Sequence, residues 1–417
     1  MKNIFKIALR NLLRYKRRTL LTSLLIILGV VMVVVFSGIS KSFKDMMIGT
    51  ITDSMLGHMQ IHKRGYVSSI DNMPLHLNLN ENQIKKLTSI LDENEKAIEA
   101  YTFRIKFGAM LSNYEQTTNI RLTAVNPEME NKASPALVDR IIDFSGKADE
   151  FIKPGKLIVP ENLANGLKLK IDQEVVLVAN NKDGSVNGMS FTIAGIMTGL
   201  TGPSGRDGYI HLDDAKELLR IYDPEISEIA IRLKNGDHLK NVSTKLIRNL
   251  QGITNKEGKP VFELHTWDRL SPFSTIATIV DLLIYVVKII LISIVLISIL
   301  NVMMMSVFER VTEIGTISAI GTLPSKILWL FVAEGFLLGL ISAVVGNIIS
   351  VLGLFLINLA EFHFSFGRMK DILLKTSISV NELVTVSIIV IIISVVSSLH
   401  PAYKASKMEP VDALRHV

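Results

Sequence analysis

Four long apolar runs, one near the N-terminus and three crowded into the last third, constrain this chain of 417 residues more than any other feature: residues 19–40, 275–308, 327–360 and 383–399. A bilayer core of about 30 Å is crossed by about 20 helical residues, so each run is long enough to span, the last only just. Between the first and second runs lies a polar stretch, 41–274, long enough for a folded domain or two. The expected fold class is a membrane protein with four transmembrane helices in a 1+3 arrangement and a large α+β external domain after the first.

Basic residues orient that plan. Lys2, Lys6, Arg10, Arg14, Lys16, Arg17 and Arg18 precede the first run with no acid among them, so residues 1–18 read as a cytosolic, amphipathic, basic helix. Four spans return the C-terminal tail, 400–417, to the cytosol and leave 41–274 outside. The loop 361–382 sets Arg368, Lys370 and Lys375 against Glu361, Asp371 and Glu382, a balance suited to the outer side. The first run is longer than a signal peptide's apolar core and is closed by no small-x-small site, which favours an anchor over a cleaved leader.

Composition fits a half-soluble chain: 48% hydrophobic residues and a mean hydropathy of +0.37. The net charge of +6 collects at the cytosolic ends, so it reads as membrane topology and argues against nucleic acid as a partner. With no cysteine, disulfides and thiolate metal sites are excluded.

The run 275–308 would reach about 50 Å as a helix, well past the hydrocarbon. Asp281, Tyr285 and Lys288 recur at helical spacing in its first half, whereas 289–308 carries no charge. Two readings fit: a stalk rising out of the bilayer, with the first helix continuing to residue 51 beside it, or a tilted helix with charges at the interface. In the third run, Glu334 is expected at the cytosolic interface. Gly335, Gly339, Ala343 and Gly346 form a small-residue stripe, a packing face against either another span or a second copy.

The loop 309–326 is the most informative short segment. Arg310 and Glu313 are i, i+3 neighbours, Ile314, Ile317 and Ile320 make an apolar face, and Gly321 followed by Pro324 ends the helix. Gly315 inside that helix costs about 1 kcal/mol against Ala, a cost that makes sense if another backbone comes close. A docking helix and an amphipathic loop resting on headgroups both fit the spacing.

The segment Glu309-Arg310-x-x-Glu313-Ile314-Gly315-x-x-x-Ala319-Ile320-Gly321 resembles the loop that MacB-type and FtsX-type ABC transporter permeases insert into their ATPase. Ala8-Leu9-Arg10-Asn11-Leu12 before the first span, and Pro401-Ala402, Ala405-Ser406, Pro410-Val411 and Ala413-Leu414-Arg415 after the last, agree with that family. The resemblance implies a permease subunit that dimerises with an identical or similar permease and works by mechanotransmission. It assigns ATPase coupling to Glu309, Arg310, Glu313, Ile314, Gly315 and Gly321, and makes Val31, Val35, Ile289 and Ile292 candidates to face substrate. It also implies a two-lobed external domain, with 175–208 in the more β-rich lobe. No cofactor is expected on this chain; ATP and Mg²⁺ belong to a separate ABC ATPase, because no Gly-x-x-x-x-Gly-Lys-Ser/Thr occurs and Gly258-Lys259 is followed by Pro260.

Within the external domain, strands are expected at 58–63, 102–111, 119–125, 175–179, 190–196, 208–212, 227–233 and 261–265, and helices at 82–97, 213–221 and 239–250. Turns are expected at Pro154-Gly155 and Gly202-Pro203. His58 and His62 on one strand would stand about 13 Å apart, too far to share a metal, and no protease or hydrolase motif appears. Two functions remain. Size favours the lipoprotein-releasing subgroup of the bacterial inner membrane, whose partners are membrane lipids, lipoproteins and a periplasmic carrier. The segment Asn180 to Gly188 is short and Pro-free, which speaks against this chain recruiting a carrier. The alternative is an FtsX-like transducer that controls an external cell-wall hydrolase.

Overall fold

The computed structural model describes residues 2–144, 152–198, 205–271, 273–366, 369–373, 375–376 and 379–409. The Gly202-Pro203 turn, Arg368 and the tail residues Pro410, Val411, Ala413, Leu414 and Arg415 lie outside the described residues.

From the N-terminus, α1 (Lys2–Arg14) is separated at Tyr15 from α2 (Lys16–Ile51), which ends in a π-helical turn, Thr52–Leu56. A polar region follows: β1 (Met59–Lys63), α3 (Glu81–Asp92), β2 (Ile98–Ser112), β3 (Thr117–Val125), α4 (Pro127–Ala133), β4 (Ile141–Phe144), β5 (Lys156–Pro160), α5 (Glu161–Leu167), β6 (Glu174–Asn180), β7 (Val186–Met197), β8 (Asp207–His211), α6 (Leu212–Leu219), β9 (Glu228–Leu233), α7 (Leu239–Gln251), β10 (Phe262–Thr266) and α8 (Trp267–Leu270). The chain then forms α9 (Phe273–Glu309), α10 (Val311–Ala319) and α11 (Pro324–Leu359), the strand pair β11 (His363–Phe366) and β12 (Met369–Leu373), and finally α12 (Val380–Ser406). Four helices, those containing the four apolar runs, are long and apolar enough to cross a membrane. Internal contacts divide the chain into an apolar unit (Met1–Asp45, Ala277–Phe364, Asp371–Val417) and a polar unit (Met46–Ile276, Ser365–Lys370).

The polar unit is built on one hydrogen-bonded network of ten strands. The 15-residue β2 serves two parts of it. Its first half pairs with β9, which continues through β1 to β10 as an open antiparallel sheet. Its second half pairs with both β3 and β6, and the circuit β2–β3–β8–β5–β7–β6 closes back on β2. The expected two lobes are thus an open sheet and a closed barrel sharing a strand, with β6, β7 and β8, the described strands of 175–208, in the barrel. All eight expected strands are present. Five elements were not legible: β4 and β5, which flank the segment 145–151, and the short helices α4, α5 and α8, too brief to show a 3.6-residue period. The helix expected to reach residue 97 stops at Asp92, where Asn94 turns its Nδ2 back onto the Ile90 carbonyl at 2.7 Å.

Buried charge orders the middle of this unit. Arg104, 1% exposed, donates to Glu130 Oε2 (3.1 Å), Ser134 Oγ (2.9 Å), Glu228 Oε1 (3.2 Å) and the Met55 carbonyl. Lys106 lies 2.9 Å from the other Glu228 oxygen, which also receives His62 Nε2 at 3.3 Å. Arg104 thereby holds the π-helical turn, assisted by Arg232 on Asp53 (2.7 Å) and Arg140 on Ser54 (3.1 Å). The turn closes at Gly57, whose φ of +68° and whose approach to the Ile231 carbonyl, 2.9 Å from where a Cβ would stand, admit only glycine.

Burial works to raise the Glu228 carboxyl, but Lys106, the His62 hydrogen bond and Arg104 outweigh it and hold it well below its ordinary 4.5. Burial lowers His62 from 6.5 against the opposing pull of Glu228, so a neutral ring donates from Nε2. Below pH 6.5 the unfolded chain protonates His62 while the folded chain does not; below 4.5 the same holds for Glu228. Since the unfolded state binds more protons in both windows, stability is lost as the pH falls through them. The unfolding temperature of the polar unit is expected to drop between pH 7 and pH 4, with Glu228→Gln lowering the plateau and flattening the acid limb; a flat wild-type profile would refute this account.

In the apolar unit the small-residue stripe proves to be an intrachain face. A Cβ on Gly335 would lie 2.6 Å from Ser398 Cβ, one on Gly339 2.6 Å from Ser394 Cβ, and one on Gly346 2.8 Å from Val30, so α11 packs tightly on α12 and α2. Gly339→Ala is expected to cost about 1–3 kcal/mol by overpacking. Gly166→Ala, in α5 with open space around it, is expected to gain up to about 1 kcal/mol from helix propensity. Thermal unfolding of the two variants in detergent measures both; equal shifts would refute the packing argument.

Candidate coupling site

Sequence spacing placed Arg310 beside Glu313; the structure adds three partners from distant parts of the apolar unit. α9 ends at Glu309, and Arg310, with φ −115° and ψ 19°, turns the chain into α10. Its guanidinium, 3% exposed as a residue, donates from Nε to Glu313 Oε2 (3.0 Å) and from Nη1 to Glu334 Oε1 and Oε2 (2.9 and 3.3 Å). Phe331 and Tyr15 cover it, at 5.3 and 5.8 Å from their ring centroids.

Glu334 sits on α11 and is 1% exposed. A buried carboxylate needs a counter-charge and donors; Arg310 supplies the first, and Asn11 Nδ2 of α1 adds a donor at 2.7 Å. α1 is held to the same stretch of α11 by an edge-to-face contact between Phe5 and Phe336, centroids 6.0 Å apart. At the break between α1 and α2, the Tyr15 hydroxyl donates to Glu313 Oε1 (3.2 Å), and Arg14 approaches Glu313 at 3.5 Å. Arg18 meets Glu309 at 3.0 Å. Burial alone would raise Glu313, but Arg310, through hydrogen bond and charge, together with Tyr15 and Arg14, holds it below the ordinary value. The first basic helix, the start of α2, the α9–α10 turn and α11 thus share one polar knot.

The far end of α10 is fixed by backbone geometry. Gly321 N donates to Ser318 O (3.0 Å) and Thr322 N to Ile317 O (3.3 Å), the paired bonds of a Schellman stop, with Gly321 at φ +89°. The expected end at Gly321 and Pro324 is therefore found, and Pro324 opens α11.

Burial divides the residues expected to meet an ATPase. Arg310, Ile314 and Gly315 are buried in the chain's own packing, whereas Glu309, Ile320 and Gly321 are exposed and Glu313 is half-buried. Ile320 is 78% exposed and Leu323 is 58% exposed, an apolar tip at the end of α10. Tyr15, Asn11 and Glu334 were not legible as members of this site, since nothing in local spacing links α1 to α11.

The candidates for substrate contact scatter. Ile289 is exposed on α9 and Val31 is half-buried on α2. Val35 faces α11 instead, 4.0 Å from where a Gly353 Cβ would stand. Ile292 lines a small crevice with Gly29, Val33 and Val390 inside the helix group. The face α2 leaves uncovered carries Leu21, Leu25, Leu28 and Met32. Among the described residues no group of His, Cys, Asp or Glu is arranged to hold a metal ion. His62 is a core residue, and His58 Nδ1 accepts from the Leu233 N–H at 3.3 Å. The Asn180 to Gly188 segment is a tight hairpin in which Asn181 N donates to Ser185 O at 2.7 Å.

Four membrane-length helices, an α/β domain inserted after the first and a short buried-and-capped helix between the second and third define a multi-pass membrane permease of the ABC type. Residues 19–249 match the MacB-like periplasmic core domain and 285–410 match the FtsX-like permease C-terminal domain, and the chain belongs to the MacB/FtsX family of ABC transporter permeases. It is 21% identical to the lipoprotein-releasing system transmembrane protein LolC of Neisseria meningitidis serogroup B, over 78% of this chain and 80% of that protein. It is 24% identical to the ABC transporter permease YknZ of Bacillus subtilis, over 99% of this chain and 98% of that one. Similarity of 23% to the macrolide export ATP-binding/permease protein MacB of Hahella chejuensis covers 98% of this chain but 59% of that protein.

The buried pair yields a quantitative expectation. Glu334→Ala strands Arg310 and is expected to cost about 3–5 kcal/mol, whereas the double change Arg310→Met, Glu334→Leu is expected to restore most of it. A double-mutant cycle on unfolding in detergent checks this; additive losses would mean that the two residues act independently.

Proposed function

We propose that this chain is the permease subunit of an inner-membrane transporter that releases or exports lipid-anchored proteins, driven by a separate ABC ATPase through mechanotransmission. The observation that carries the reading is the polar knot around Arg310: a push on α10 reaches α1, α9 and α11 through the buried guanidinium and its two carboxylates, and α2 through the neighbouring Arg18–Glu309 pair. The basic residues of α1 and the start of α2 support a cytosolic position for this end and for both termini. Similarity to LolC across most of the chain supports lipid-anchored proteins as the cargo class, and this, with the size of the domain after α2, favours transport over control of a cell-wall hydrolase.

In this reading Glu309, Ile320, Gly321 and the outer edge of Glu313 meet the ATPase, while Arg310, Ile314 and Gly315 hold α10 in position from beneath. ATP and Mg²⁺ stay with the ATPase. A second permease, identical or similar, completes the assembly, with Leu21, Leu25, Leu28, Met32 and Ile289 near its axis in place of Val35 and Ile292. The tight hairpin after β6 makes this chain the partner that does not recruit a periplasmic carrier.

A mild-detergent pull-down of the tagged protein, with mass spectrometry of what is retained, tests the assignment. A P-loop ATPase and acylated lipoproteins are expected. Ile320→Glu is expected to leave the protein inserted but to reduce ATPase recovery at least about tenfold, the cost of burying an unpaired charge in a contact. Undiminished recovery would remove α10 as the docking element, and a retained cell-wall hydrolase without lipoproteins would replace the transport reading.

A further inference from the structure

At the opposite end of the apolar unit from Arg310, the long helices enclose a second charged site that ATPase coupling does not use. A crevice of about 170 Å³ opens between α2, α9, α11 and the start of α12. Lys44 pairs with Asp281 at 2.6 Å across α2 and α9, and Lys288 pairs with Glu382 at 2.6 Å across α9 and α12. Lys41, exposed on the same rim, makes no ion pair among the described residues. Three lysines against two carboxylates leave the crevice with one positive charge. Ser37, 5% exposed, lines it with a buried hydroxyl that has no hydrogen-bond partner, a polar group whose burial is costly unless something in the crevice meets it.

The depth of these groups is set by sequence. Lys41 and Lys44 come directly after the first apolar run, Lys288 directly before the uncharged stretch 289–308, and Glu382 directly before the last run. All of them therefore stand where hydrocarbon gives way to headgroups. A second crevice, of about 30 Å³, runs between α2, α9 and α12 along the apolar Gly29, Val33, Ile292, Val295 and Val390. It shares Lys288 with the first. A side chain at position 29 would close in on Val295, 3.0 Å from the added Cβ.

A charged cup at headgroup depth that shares a lysine with an apolar groove has the polarity of a membrane lipid. The geometry points to a site for one glycerophospholipid, its phosphodiester among Lys41, Lys44 and Lys288 with a hydrogen bond from Ser37, and an acyl chain entering the groove beside Gly29. The net charge of the cup favours an anionic headgroup such as phosphatidylglycerol over a zwitterionic one.

The test uses the full chain, purified and stripped of lipid in mild detergent, without any ATPase, so its result is independent of the cargo assignment. Phosphatidylglycerol, phosphatidylethanolamine or inorganic phosphate is added back, and bound molecules are counted by native mass spectrometry. One phosphatidylglycerol per chain is expected. Lys41→Glu and Ser37→Leu are each expected to weaken its retention at least about tenfold, and Lys326→Glu, outside both crevices, to leave it unchanged. Lys41 breaks no ion pair on replacement, and an unaltered unfolding temperature certifies that variant's fold. Equal retention in wild type, Lys41→Glu and Ser37→Leu overturns the proposal, as does retention of inorganic phosphate with no lipid; a preference for phosphatidylethanolamine overturns the anionic headgroup.

Discussion

A guanidinium removed from water must be matched on every side, and Arg310 is matched by groups from α10, α11 and the α1–α2 break. Its carboxylate partners come from α10 and α11, its covering rings from α11 and the α1–α2 break, and Glu334 is completed by Asn11 of α1. Such a pair adds little net stability over an apolar substitute, because desolvation consumes most of the Coulombic gain. It adds geometry instead: a hydrogen-bonded fork has one acceptable arrangement, whereas apolar side chains could slide. The short helix α10, which is too brief to be stable alone, inherits its position from that fork at one end and from the Gly321 stop at the other.

The polar unit uses the same device. Arg104, Glu130, Glu228 and Lys106 are buried where the open sheet meets the barrel on β2, and Arg104 reaches the backbone of the π-helical turn that continues α2. Asp53 and Ser54 in that turn receive two further arginines. Three guanidinium groups on five residues make the turn a fixed part of the domain.

Membership in the MacB/FtsX family and permease character rest on residues spread over most of the chain, whereas the proposed cargo and partner contacts would rest on surfaces. Those surfaces are small here: an apolar tip at Ile320 and Leu323, an uncovered leucine face on α2, and a tight hairpin after β6. The lysine-rimmed crevice between α2, α9, α11 and the start of α12 adds the surface proposed to hold a lipid.

Much of this was legible along the chain. Apolar length decided the four spans and their 1+3 order, alternation decided eight strands, and Gly321 with Pro324 decided where α10 stops, because each is a property of neighbouring residues. Local spacing also gave the Arg310–Glu313 pair. Tertiary structure alone decided that the glycine stripe of α11 meets α12 and α2, that Val35 turns toward α11, that Ile314 and Gly315 face inward, and that the barrel closes through β6. It also decided the partner of Glu334, since Asn11 lies 323 residues away. Periodicity reports that a face is apolar or small; which neighbour fills it depends on how distant segments pack, and a buried charge finds its counter-charge only when that packing is complete.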